Sequence, residues 1–173
     1  MPKAPAWRGL SGGLTLRPAQ WRAAGIAVLC AIAAVTWFVL LLDGVLFRQH
    51  LTADYVRLFT SPLIPRLPVF SLLAVIEEFK YRLLLMTALV AVQQLVGIKL
   101  SPISFVGAIV ISQFVNVGSF VIADPVYASL RYLAVGCVWG WLYWRHGWLA
   151  ALTGHAVCHL LLDPLLMLVL LDS

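Results

Sequence analysis

Residues 24–42, AGIAVLCAIAAVTWFVLLL, contain no charged side chain. At ~1.5 Å per residue, a helix of this length reaches nearly across a ~30 Å hydrocarbon layer. Lys3, Arg8, Arg17 and Arg22 precede it. The run is longer than the ~7–15 apolar residues of a cleaved leader, and no small-residue cleavage pattern follows it. It therefore reads as an uncleaved anchor, and the rest of the chain continues in the same style. Of 173 residues, 62% are hydrophobic and 11% charged, against roughly 25% charged in soluble domains. The net charge of +5 is too thinly spread to track phosphates, which excludes a nucleic-acid binder. The expected fold class is all-α, a multi-pass transmembrane helix bundle of about five spans, four of them forming the core.

The chain divides into a basic cytoplasmic segment over 1–23, an anchor helix over 24–42, a loop over 43–68 and a four-helix core over 69–173. The loop has room for a short interfacial helix. It holds Pro62, Pro65 and Pro68, which force extended conformations on the residues before them and mark a boundary. Later helices are expected over 69–98, 103–123, 128–144 and 148–171. Their short connections impose an up-and-down order. The basic N-terminus should lie inside, and Trp141, Tyr143, Trp144 and Trp148 resemble an interfacial aromatic belt. Gly136-x-x-x-Gly140 and Ala150-x-x-x-Gly154 permit close helix contact. Cys30, Cys137 and Cys158 show no paired spacing and read as buried, inert thiols.

Charges inside the apolar helices narrow the reading. The stretch VIEEFKYRL at 75–83 holds Glu77, Glu78, Lys80 and Arg82. Each charge at a bilayer centre costs about 2.5–3.5 kcal/mol, so the group must lie at an interface, pair internally or face a watery cavity. Glu78 and Arg82 have the favourable i,i+4 orientation for an ion pair. Glu77 is turned about 100° away and is left without a local cation, which makes it the candidate general base. On the last helix His155, His159 and Asp163 are spaced four and four, on one face. They are either satisfied packing groups or functional ones. Ser112, Gln113 and Asn116 give the third span a polar face that could join helices or line a cavity.

EEFKYR at 77–82 matches E-E-x-x-x-R, and LRYLAVGCVWGWLYWRHGWLAALTGHAVCH is similar to the closing section of the same family. The chain resembles the CPBP family, intramembrane proteases related to type II CAAX prenyl endopeptidases and also called Abi proteins. The resemblance covers about residues 69–165. It implies that Glu77 activates water, that Glu78 and Arg82 form the accompanying pair, and that His155 and His159 stabilise the oxyanion. The family's F-x-x-x-H motif is absent, with Asn116 at the histidine position. H-x-x-x-H replaces H-x-x-x-N or D, and His159-x-x-x-Asp163 is the alternative register.

The expected activity is a glutamate-type intramembrane endopeptidase, metal-independent and without cofactor. Its partners would be a membrane-protein or peptide substrate and the lipid bilayer, with no nucleic acid. The expected place is a cell membrane, of bacterial inner-membrane type. Two other readings stand beside it: a metal-dependent membrane protease using Glu and His ligands, and a non-catalytic relative that binds membrane proteins.

Overall fold

The computed structural model describes residues 18–118 and 124–171, and every regular element in them is helical. Helix α1 spans Pro18–Leu41 and opens into a π-helical stretch at Leu42–Leu46. A 3-10 turn at Arg48–His50 leads to α2, Ala53–Thr60, capped by the Thr52 side chain accepting from the Tyr55 N–H. Helix α3 is Leu63–Glu77. It passes through a π-helical stretch at Glu78–Met86 into α4, Thr87–Leu95. Then come α5, Pro102–Val117, and α6, Pro125–Ala128. A third π-helical stretch, Ser129–Ala134, leads into α7, Val135–His146, and α8, Trp148–Leu171, ends the bundle.

This is a helical membrane protein. Among the described residues, Gln20–Leu46 and Trp148–Leu171 are long and apolar enough to cross a bilayer. Ala53–Thr60 and Leu63–Leu95, bent by 111° at their junction, make a third candidate as one broken or re-entrant span. Helix α5 is apolar but shorter. The expected third span ran to residue 123, of which 119–123 lie outside the described residues, as do Lys3, Arg8 and Arg17 of the basic N-terminus.

The second long helix starts at Leu63, six residues before the expected 69. Pro62 is its N-cap and Pro65 falls in the first turn, where the missing N–H has no intrahelical partner in any case. Only Pro68 lies inside the helix. The prolines mark the start of this helix rather than the end of a loop. The turn between α7 and α8 needs Gly147, whose φ of +91° suits a residue without Cβ.

Helix α8 is the axis of the bundle, with α1, α2, α3 and α7 packed along it. Its buried stripe, Ala151, Gly154, Cys158, Leu162, Leu166 and Leu170, recurs every three or four residues, the period of one helix face. Small residues set the closest approaches, as expected where lipid removes the hydrophobic drive between helices. A Cβ on Gly154 would come 3.1 Å from Trp139 and from Leu142, and one on Gly140 would come 2.8 Å from Ile109. Tyr143 is not part of an aromatic belt: it is buried and shares a 2.7 Å hydrogen bond with Thr87. Trp144 stacks on Phe105 in the same interior. Of the three thiols only Cys158 is buried, and Cys30 is exposed on α1.

Candidate active site

The π-helical stretch Glu78–Met86 packs against α5 and α8, and Arg82 reaches α7 through the Gly136 carbonyl. Hydrogen bonds of the i→i+5 type widen a helix, and such turns recur at functional sites. Glu78 and Arg82 stay on one face of it. Both are buried at 0% and 1% exposure, and Arg82 Nε lies 3.5 Å from Glu78 Oε2. This is the i,i+4 pair expected from the spacing. The guanidinium also donates through Nη2 to the Gly136 carbonyl at 3.1 Å and to Gln113 Oε1 at 3.3 Å. Removing two charges from water costs several kcal/mol per ion; the Nη2 hydrogen bonds offset part of that, while Arg82 Nε and Nη1 have no hydrogen-bond partner among the described residues.

His155 on α8 meets the other carboxylate oxygen, with Nδ1 2.9 Å from Glu78 Oε1. An ionised carboxylate only accepts, so Nδ1 carries the proton and Nε2 lies at the opposite edge of the ring. The next turn of α8 repeats the arrangement: His159 Nδ1 is 3.1 Å from Oδ1 of the wholly buried Asp163. The two imidazoles stack at 5.5 Å and 27°, and Trp139 stacks on the far face of His155 at 5.4 Å. The spacings of four therefore place two carboxylate-bound histidines side by side. His155, His159 and Asp163 line a single row, so both pairs read from the sequence lie side by side.

Glu77 differs from its neighbour. It is half-buried, and no hydrogen bond or ion pair to it is present among the described residues. Tyr132 is close enough to feel its charge. Lys80, the fourth charge of the cluster, is exposed and lies 4.9 Å over the Tyr81 ring, so it takes no part in the buried set. Asn116 is buried on α5, one turn beyond Gln113. Among the described residues no three His, Cys, Asp or Glu side chains converge closely enough to hold a metal ion.

Three participants were not legible as such in the sequence. Gln113 was one of several polar residues on α5, with nothing to say that it would be the one to reach Arg82. Gly136 was read only as a packing residue. A Cβ there would sit 1.7 Å from Gln113 Oε1, so the glycine makes the space that lets Gln113 meet the arginine. Arg66 falls in the stretch expected to be a loop, 43–68. It is 5% exposed and points into the bundle beside Asp163. Its proximity to three prolines hid it, although an arginine three residues ahead of an apolar run was a usable signal.

A family model, type II CAAX prenyl endopeptidase Rce1-like, matches residues 27–161. That span contains Glu77, Glu78, Arg82, Asn116, His155 and His159 and ends before Asp163. No curated protein and no solved structure matches the chain.

Proposed function

The chain belongs to the Rce1-like family of type II CAAX prenyl endopeptidases, and we propose on that basis that it cleaves a membrane-associated protein or peptide by a glutamate-type mechanism. The division between the two adjacent glutamates carries this reading. Glu78 is closed off by Arg82 and His155, whereas Glu77 is half-buried and unbonded among the described residues, the condition of a carboxylate that can take a proton from water.

In the proposed reaction Glu77 removes a proton from a water molecule whose oxygen attacks the scissile carbonyl carbon. The carbonyl oxygen becomes the tetrahedral oxyanion and accepts from the Nε2–H groups of His155 and His159. Donation from both ring nitrogens requires the doubly protonated ring. The buried carboxylates on Nδ1 offset that charge. Fixed donors aimed at a developing oxyanion, away from bulk water, supply the largest single contribution in most acyl transfers. Collapse of the intermediate breaks the C–N bond, and the proton held by Glu77 passes to the leaving amine. Asn116 orients the water through an amide that does not titrate near neutrality. Glu78 and Arg82 position His155. The mechanism uses no metal and no cofactor, and the site works within a cell membrane that the chain crosses several times.

Comparing labelled protein termini in membranes that contain the wild-type chain, the Glu77→Gln variant or neither tests this reading. A new terminus found only with the wild-type chain identifies the client. Termini that are identical in all three membranes contradict the proposal.

A further inference from the structure

Arg82, Glu78 and His155 form a buried series of cation, carboxylate and imidazole. Beside it lies a second buried carboxylate–imidazole pair, with a cation near the carboxylate but not in an ion pair with it. Asp163 holds Nδ1 of His159, and the nearby cation is Arg66 from the start of α3. The Arg66 Nη2 lies 3.5 Å from the Asp163 carbonyl, and the Asp163 carboxylate acts electrostatically on its guanidinium. Asp163 Oδ2 and Arg66 Nε have no hydrogen-bond partner among the described residues. The carboxylate is therefore balanced by a charge beside it and not by a full set of hydrogen bonds.

The same arginine is anchored in the turn between α2 and α3. Nη1 donates to the Leu58 carbonyl at 2.7 Å and to the Ser61 carbonyl at 3.1 Å, closing the C-terminal end of α2. The guanidinium lies 5.3 Å over the Phe59 ring. Phe59 stacks on Phe70 at 5.5 Å, and Phe70 packs on His159 at 5.5 Å. His159 is thus reached from this turn by two routes, an aromatic one through Phe70 and a charged one through Arg66 and Asp163.

We propose that Arg66 and Asp163 are positioning residues for His159, a second arginine–carboxylate–histidine set through which the α2–α3 turn fixes the orientation of that ring. This rests on the protease reading for its purpose, since a fixed Nε2 edge matters when an oxyanion forms there. Its physical basis is independent of that reading. A buried carboxylate stays ionised only with a compensating charge, and only the ionised form is restricted to accepting from Nδ1–H. Removing Arg66 frees Asp163 to take a proton and to donate to Nδ1 instead, which takes the proton off Nδ1 and discharges the ring that the oxyanion would face. Were Arg66 only a cap for α2, its loss would shift the ring at most through Phe70 and would leave the proton on Nδ1.

The test uses the full chain in phospholipid nanodiscs with 15N-labelled histidine. The Nδ1 resonance of His159 should report a protonated, hydrogen-bonded nitrogen in the wild type. It should move in Asp163→Asn and in Arg66→Gln and be kept in Arg66→Lys. Turnover of an internally quenched apolar peptide should fall about 10- to 100-fold in kcat for the first two variants, the scale of a misplaced catalytic group. KM should stay within about twofold, because the interaction is made only in the transition state. A His159 resonance unchanged in Asp163→Asn, or in a folded Arg66→Gln, overturns the proposal. If Arg66→Gln does not fold, Asp163→Asn decides alone. If the resonance follows both substitutions while the wild-type chain cleaves no peptide, the positioning stands and the protease reading falls.

Discussion

Asp43 and Glu78 are both wholly buried, both lie in π-helical stretches and both sit beside an arginine, yet their surroundings differ in kind. Asp43 has a donor for each oxygen. Tyr127 donates to Oδ1 at 2.9 Å, and Oδ2 accepts from the Tyr55 hydroxyl and from Arg131 Nε at 3.3 Å. These groups tie the end of α1 to α2 and to the start of the α6–α7 segment. Around Glu78 a histidine stands where the phenols would be. Glu78 Oε2 faces Arg82 without a formed hydrogen bond. A satisfied network of phenols and arginine makes a rigid brace. An imidazole in place of a phenol brings a second ring nitrogen that can hydrogen-bond beyond the network.

The comparison can be broken most forcefully by neutralising each acid. Glu78→Gln and Asp43→Asn should each cost about 3–5 kcal/mol of stability, because each leaves a buried arginine uncompensated. Chemical unfolding in micelles would measure this. Per folded molecule, cleavage should be lost only in Glu78→Gln. Gly136→Ala comes next, with a cost of about 1–3 kcal/mol from overpacking. It also displaces Gln113 from Arg82, so cleavage should fall with stability. Tyr127→Phe removes one hydrogen bond from the brace and should cost about 1 kcal/mol, with cleavage per folded molecule unchanged. The smallest effect is expected from EDTA or 1,10-phenanthroline. Neither should change turnover, and metal analysis should find far less than the near-stoichiometric zinc of a zinc enzyme. Activity lost on chelation and restored by zinc would replace the glutamate mechanism with a metal-dependent one.

Helix α8 was legible in the sequence to its end residues, because a short polar turn and a long apolar run leave little choice. The Glu78–Arg82 pair was legible as well, since i,i+4 spacing keeps two residues on one face in either kind of helix. The π-helical stretches were not. Each of the three carries a buried charge, Asp43, Glu78 with Arg82, and Arg131, and nothing in a 3.6-residue period announces a wider turn. The partner of His155 was missed for a related reason. Glu77 and Glu78 are neighbours in sequence, and only the packing of α8 against the π-helical face decides which of them the histidine meets. Arg66, in the expected loop, and Tyr143, in the expected aromatic belt, both lie inside the bundle, although each stands next to boundary residues, prolines in one case and tryptophans in the other. A tertiary partner drew each of them inward.

The division of labour between the two charged regions is tested most directly by the cleavage rate of one client in nanodiscs. Glu77→Gln and Asp43→Asn would be compared, each rate normalised to the folded fraction. The account predicts that Glu77→Gln falls by at least about 100-fold with wild-type stability, and that Asp43→Asn cleaves at the wild-type rate per folded molecule. A Glu77→Gln variant that still cleaves, or a folded Asp43→Asn variant that does not, would contradict it.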